Sequence, residues 1–154
     1  MPFASCPTAV INTPLDHVGA LLMAPAGWGD VFDIRVLGVD PPGPAVVGQV
    51  ARGETGPGIF HLKLTFRVME IDPGQHRLRM NVALPFGLAV DEEIRCTALD
   101  DRRCHVAYRC NFDFPAGWRG AAMQVLLKRR LDSGPGDSLS RLKQAAERRM
   151  RMEI

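Results

Sequence analysis

The chain has 154 residues, a formal net charge of +2, and 46% hydrophobic against 23% charged residues. That length predicts one domain over residues 1–154 with its own core, and the composition is too apolar for a disordered chain. The small net charge argues against nucleic acid as a partner. The longest apolar run, Val18–Ala26, is broken by Gly19 and Pro25, so neither a membrane span nor a signal peptide is expected.

Cys6, Cys96, Cys104 and Cys110 lack a secretory context and a CxxC pair, which predicts free thiols and a cytoplasmic location. Cys104 and His105 are neighbours that point to opposite faces of a strand, so no metal site is expected, and no motif calls for a cofactor.

In chain order, Thr8–Ile11 is a short apolar run closed by Asn12-Thr13-Pro14, where Thr13 suits a helix cap and Pro14 the first turn. The helix carries His17, Val18, Leu21 and Leu22 until Pro25-Ala26-Gly27-Trp28-Gly29, after which a second short helical turn is expected. From Phe32 the period becomes two, with Ile34 and Val36 on the same face, up to Asp40-Pro41-Pro42-Gly43-Pro44. A strand is predicted over Val46–Arg52, with a turn at Glu54–Gly58.

Ile59–Ile71 is the clearest strand: Phe60, Leu62, Leu64, Phe66 and Val68 share one face, while His61, Lys63, Thr65 and Arg67 share the other. Asp72-Pro73-Gly74 turns it into a second alternating strand, Arg77–Ala83. Beyond Pro85-Phe86-Gly87 come Val90–Leu99 and His105–Phe114. Aligning their even-numbered apolar sets requires an odd turn of roughly three or five residues around Asp101.

Trp118–Leu131 reads as a helix whose Ala122, Val125, Leu126, Leu127 and Leu131 spread widely around it, so it is expected to be largely buried. Ser133-Gly134-Pro135-Gly136 is expected to interrupt it, with Asp137 capping a last helix that carries Leu139, Leu142, Ala146 and Met150 on one stripe. The predicted class is α+β: a curved antiparallel sheet of about seven strands around a long C-terminal helix broken near 133–136.

Several segments resemble the START and birch-pollen-allergen-like (SRPBCC, helix-grip) superfamily, particularly its polyketide cyclase/dehydrase and lipid-transport group. They are Thr13-Pro14-Leu15-Asp16, Trp28, Val68-Met69-Glu70-Ile71-Asp72-Pro73, Phe86-Gly87, Phe112-Asp113-Phe114-Pro115-Ala116-Gly117-Trp118, and Asp137-Ser138-Leu139-Ser140-Arg141-Leu142-Lys143 with Glu147. These are turn, cap and core residues without a catalytic signature. The resemblance implies a hydrophobic small molecule held between the sheet and the last helix, with chemistry in only some relatives.

Glu92 shares the parity of Ile94 and Cys96, which aims a carboxylate at the inner face, although its place near the strand start also fits a solvated rim. Tyr108, the single tyrosine, offers a hydroxyl among apolar neighbours, for a ligand or for its own backbone and water. Trp28, Phe32, Phe86 and Trp118 fall at helix or loop ends where a tunnel mouth would lie. The inner walls would add Phe60, Leu62, Phe66, Met80, Ile94 and Phe112, and the helix Ala122 and Leu126. No His-based triad assembles; His17, in the first helix, is the one histidine to watch.

Two functions fit: a binding or carrier protein for a lipid- or polyketide-like molecule, and a cyclase or dehydratase in which Glu92 or Tyr108 assists proton transfer. A third is an interaction module whose interior is filled by its own side chains. The basic residues Lys128, Arg129, Arg130, Arg141, Lys143, Arg148, Arg149 and Arg151 suggest a solvated face, or weak contact with an anionic membrane surface, on a monomer or homodimer.

Overall fold

The computed structural model describes residues 3–32, 34–55, 62–74 and 76–152. The chain opens with β1 (Phe3–Ser5) and β2 (Thr8–Ile11), then helix α1 (Leu15–Leu22) and a 3-10 helix at Pro25–Asp30. Six strands follow: β3 (Arg35–Asp40), β4 (Val50–Thr55), β5 (Leu62–Asp72), β6 (Arg77–Ala83), β7 (Ala89–Ala98) and β8 (Cys104–Asp113). Helix α2 (Trp118–Met152) closes the chain.

All pairings are antiparallel, in the order β1-β8-β7-β6-β5-β4-β3, with β2 also on β8. Among the described residues the sheet has eight strands, in keeping with the expected count of about seven, the first strand being divided in two. Cys6-Pro7 separates β1 from β2, and the Pro7 carbonyl accepts the Tyr108 N–H at 3.0 Å, so the edge stays attached to β8 across the break. Sheet and helix together form the helix-grip arrangement.

The turn between β7 and β8 is residues 99–103, five in all, which pairs Ile94 with Tyr108 and Cys96 with Val106 as the parity argument requires. Every even-numbered residue of β8 from Cys104 to Phe112 is buried. The β5–β6 hairpin likewise buries Leu64, Phe66, Val68, Leu78, Met80 and Val82. A register shift between Val68 and Glu70 then changes the parity, so that Ile71 rather than Glu70 follows Val68 on the core side, opposite Leu78.

Several expectations need correction. The strand expected over Val46–Arg52 is β4, Val50–Thr55, and Glu54 and Thr55 end it rather than turn. The reason lies in Gln49, which is buried and donates from Nε2 to the carbonyls of Pro41 (2.8 Å) and Gly43 (3.2 Å), tying 41–48 into a loop instead of a ladder. Thr13 does not cap α1: Pro14 occupies the N-cap, and the buried Thr13 hydroxyl has no partner.

Helix α2 runs unbroken for 35 residues through Ser133-Gly134-Pro135-Gly136, so Asp137 lies within it and caps nothing. Pro135 removes one N–H donor, but it is buried, and the following turns bury Leu139, Leu142, Ala145 and Ala146 against the core. Tertiary packing of that stripe outweighs the local cost of proline and glycine. The first half of α2 is not largely buried: Trp118, Val125 and Leu126 are exposed. Among the described residues, the side that meets the protein is the one where Gly120 is buried and Leu127 packs on the core; the side chain of Leu131 lies outside them.

Two contacts fix α2. At its start, a Cβ on Gly120 would overlap the Pro115 carbonyl oxygen, so the helix leaves β8 by a close backbone approach that only glycine permits. Further along, Lys143 Nζ donates to the Val10 carbonyl (2.9 Å) and to Glu147 Oε1 (2.7 Å), which also accepts the Asn12 N–H (3.0 Å). Burial pushes the Glu147 carboxyl up, but the bonds from Lys143 and Asn12 outweigh it and leave the carboxyl below its ordinary value.

Gly120→Ala is expected to cost roughly 1–3 kcal/mol in denaturant unfolding, because the obstacle is backbone and cannot swing aside. Glu147→Ala should cost about 1 kcal/mol. Since the folded carboxyl is depressed, that contribution is full above the unfolded value of about 4.5 and fades as acid protonates the folded group. A loss for Glu147→Ala that is the same at acid and neutral pH would contradict this account.

Candidate functional site

The site grows from the parity of β7 and β8 and from the 3-10 helix that follows α1. Pro25 and Trp28 of that helix are buried, and Trp28 Nε1 donates to the Leu22 carbonyl at 3.0 Å, which satisfies the indole and locks its ring against the sheet. Trp28 meets Phe66 edge-on at 5.8 Å between ring centres, Phe32 bridges Phe66 (5.6 Å) and Tyr108 (6.3 Å), and these four rings line the inner face.

Beside them sits Glu92, paired across the strands with Cys110 and with Met80. It is buried, hydrogen-bonded to Tyr108, and its Oε2 has no partner. Burial raises its carboxyl from 4.5 to about 7, the Tyr108 bond works against that rise, and the charge of Asp91 adds to it. Burial first and Glu92 second hold the Tyr108 hydroxyl well above its ordinary value, with Cys110 as a further hydrogen-bond neighbour. Glu92 thus sits within the apolar interior, and the solvated rim is excluded for it.

Between Tyr108 and α2 lies a cavity of about 10 Å³, lined by Val31, Phe32, Ile94, Ser138, Leu139 and Leu142 besides the tyrosine. That is room for about one water molecule. Among the described residues, the space between Tyr108 and α2 is occupied by the protein's own side chains, because α2 continues through Pro135 and brings Leu139 and Leu142 up to Phe32 and Tyr108. A larger hollow, about 300 Å³, lies on the outer face among Met69, Arg79, Asn81, Asp91 and Asn111. Its arginine is committed to Asp91 (3.1 Å) and Glu70 (3.2 Å).

With this geometry in place, residues 7–147 match the protein family described as polyketide cyclase/dehydrase and lipid transport. The chain belongs to that family. No curated protein matches it in sequence.

Among solved structures, it is similar to the ZhuI aromatase/cyclase from Streptomyces sp. R1128, with a TM-score of 0.72, 18% identity, and 97% of this chain and 96% of that one covered. Norcoclaurine synthase from Thalictrum flavum superposes with a TM-score of 0.70 at 10% identity, covering 100% of this chain and 98% of that one. A conserved protein from Geobacillus kaustophilus gives 0.69 at 15% identity over 95% and 96%. At these identities the likeness is one of fold.

Within this member of the polyketide cyclase/dehydrase and lipid transport family, the residues expected to form the site divide into three groups. Trp28, Phe32, Phe66, Met80, Glu92, Ile94, Tyr108 and Phe112 are gathered on the inner face and buried. Leu62 and Ala122 are half-buried. Phe86, Trp118 and Leu126 are exposed and meet none of the interior cluster, because their loop and helix stripe face outward. Phe60, the remaining residue expected there, lies outside the described residues, as do the turn residues Gly56–Gly58 and the strand start expected at Ile59 and His61.

Sequence reasoning missed Val31, Ser138, Leu139 and Leu142 as cavity walls, and Cys110 as the partner of Tyr108. Cys110 was within reach, since a five-residue turn sets it opposite Glu92. Val31 and Ser138 had no such signal, being set by how the 3-10 helix and α2 dock. The four cysteines are free thiols, Cys6 exposed and the rest buried, and the described residues hold no group of three or more metal-ligating side chains. Among the described residues, no helix is long and apolar enough to cross a membrane.

The Glu92 shift has a sign that can be measured. A carboxyl held at about 7 in the fold and near 4.5 in the unfolded chain binds more protons when folded across that window, so stability falls as pH rises from 4.5 to 7. The total from this group is roughly 3 kcal/mol at the alkaline end. Glu92→Gln removes the titration. The variant should therefore gain stability relative to the parent on going from pH 5 to pH 8, and urea unfolding that shows a constant difference would contradict the buried carboxyl.

Proposed function

We propose that the chain binds a hydrophobic small molecule carrying at least one hydrogen-bonding group between the inner face of the sheet and α2, with Glu92 and Tyr108 as its polar anchors. The observation that carries this reading is the Glu92 carboxyl itself, buried in an apolar interior with one oxygen unpartnered. A carboxyl so placed costs stability unless something binds it, and polar groups set in an apolar wall are what orient ligands. The family description, with its cyclases, dehydrases and lipid transporters, supports the same substrate class.

The small cavity sets a condition on this reading. Space for one water does not hold a lipid or a polyketide, so binding requires the Leu139–Leu142 turn of α2 to move off Phe32 and Tyr108. Apolar area of the guest, at about 25 cal/mol per Å², would take the place of the packing that this turn gives up.

A second reading is favoured by a different observation. A carboxyl near 7 exchanges its proton at neutral pH, and a tyrosine hydroxyl hydrogen-bonded to it extends the relay, which suits cyclase or dehydratase chemistry on the same guest.

Native mass spectrometry of protein purified under mild conditions tests the first reading, with a co-purified apolar mass expected. Glu92→Gln should keep the hydrogen-bonding shape and bind within a few-fold, whereas Glu92→Leu should weaken a polar-headed ligand roughly tenfold. A clean protein mass, together with no uptake of apolar fluorescent probes, would defeat the binding proposal. Turnover of a candidate polyketide-like substrate that is unchanged in Glu92→Gln and Tyr108→Phe would defeat the enzymatic one.

A further inference from the structure

The first half of α2 is apolar on two sides, and one of them faces water. Gly120 and Leu127, seven residues apart, turn toward the protein. Trp118 and Val125, also seven apart, and Leu126 lie on the opposite side, exposed by 78%, 78% and 81%. Phe86, on the β6–β7 loop, is exposed by 82% and sits at a left-handed φ of 66°, unusual for a bulky residue. A Cβ on its neighbour Gly87 would meet Pro115 Cγ at 3.4 Å, so that loop abuts the segment leading into Trp118. Four large apolar side chains are thus exposed on two elements separate in sequence, the helix and a loop that meets the segment leading into it at Pro115.

Neither the inner cavity nor the outer hollow includes any of the four. Each has about four-fifths of its surface in water, which suits a fluid interface better than a shaped protein partner. The charges beside them are cationic: Arg119 and Lys128 are exposed on the same helix, and Arg119 lies 5.8 Å from the Trp118 ring centre. In sequence, residues 118–132 carry Arg119, Lys128, Arg129 and Arg130 against Asp132 alone. Self-association across this stripe would bring cations of one copy against cations of the other, in parallel or antiparallel pairing. An anionic surface has no such penalty.

We infer that these exposed residues dock the protein on an anionic lipid bilayer, with Trp118, Val125, Leu126 and Phe86 seated in the headgroup boundary and Arg119 and Lys128 against lipid phosphates. Exposed aromatic and aliphatic residues beside cations are the composition of interfacial helices. The inference goes beyond ligand binding and does not depend on it, since the interior can hold a guest whether or not these residues meet a membrane.

The chain carries its own reporter, because Trp28 is fully buried and Trp118 is the other tryptophan. Full-length protein would be titrated with vesicles of phosphatidylcholine alone and of phosphatidylcholine mixed equally with phosphatidylglycerol. A blue shift of tryptophan emission and co-sedimentation are expected with the anionic vesicles and much less with the neutral ones. Replacing Arg119 and Lys128 by Gln should weaken binding about fivefold per cation, hence roughly thirtyfold for the pair. Phe86→Ser with Leu126→Ser should also release the protein, and circular dichroism checks that the fold survives these surface changes.

Absence of both signals with anionic vesicles would overturn the proposal. So would unchanged binding of the two double variants. Dimerisation without lipid that itself shifts Trp118 emission would assign the stripe to a second copy instead. Native mass spectrometry on the Glu92 variants reads the interior alone, so failure of ligand binding and failure of docking are separately visible.

Discussion

A five-residue turn between β7 and β8 holds two long strands in the register that sends Val90, Ile94 and Cys96 to the same side as Cys104, Val106, Tyr108, Cys110 and Phe112, and the rest of the molecule is arranged around that face. It sets Ile94 against Tyr108 and Glu92 against Cys110, and it aligns the surface on which the 3-10 helix and the second half of α2 come to rest. A shift by one residue would turn the whole set to solvent. The same register that builds the core therefore also draws a carboxylic acid into it.

That acid is the point at which packing and chemistry conflict. Its strand mates Val90, Ile94 and Cys96 are apolar and buried, and the pleat leaves Glu92 no alternative direction while they stay inside. Tyr108 satisfies it in part. The unpartnered oxygen and the carboxyl near 7 are what remain of a cost that a plain structural core would have avoided with a leucine.

Helix α2 plays two roles along its length. Its second half fills the inner face through Leu139, Leu142, Ala145 and Ala146, and is fastened to β2 through Lys143 and Glu147. Its first half touches the protein along a narrow side and displays apolar residues outward. A wide apolar spread on a helix has two physical solutions, burial all round or two partners on opposite sides, and the sequence pattern is the same for both.

Much of the fold was legible in the chain because alternation and turn chemistry are local. The β5–β6 hairpin, the odd turn after β7, the helix after Asn12 and the inward aim of Glu92 and Tyr108 all follow from residue spacing and from where proline and glycine fall. What tertiary structure alone decided was whatever depended on distant partners. Gln49 reaches back to Pro41 and Gly43 and holds as a loop residues that read as strand. Packing on the sheet carries α2 through Pro135 and so leaves only a water-sized cavity between Tyr108 and Leu139, and docking geometry leaves Trp118 and Leu126 outside. Periodicity reports which side of an element is apolar, but only the assembled protein determines what, if anything, covers it.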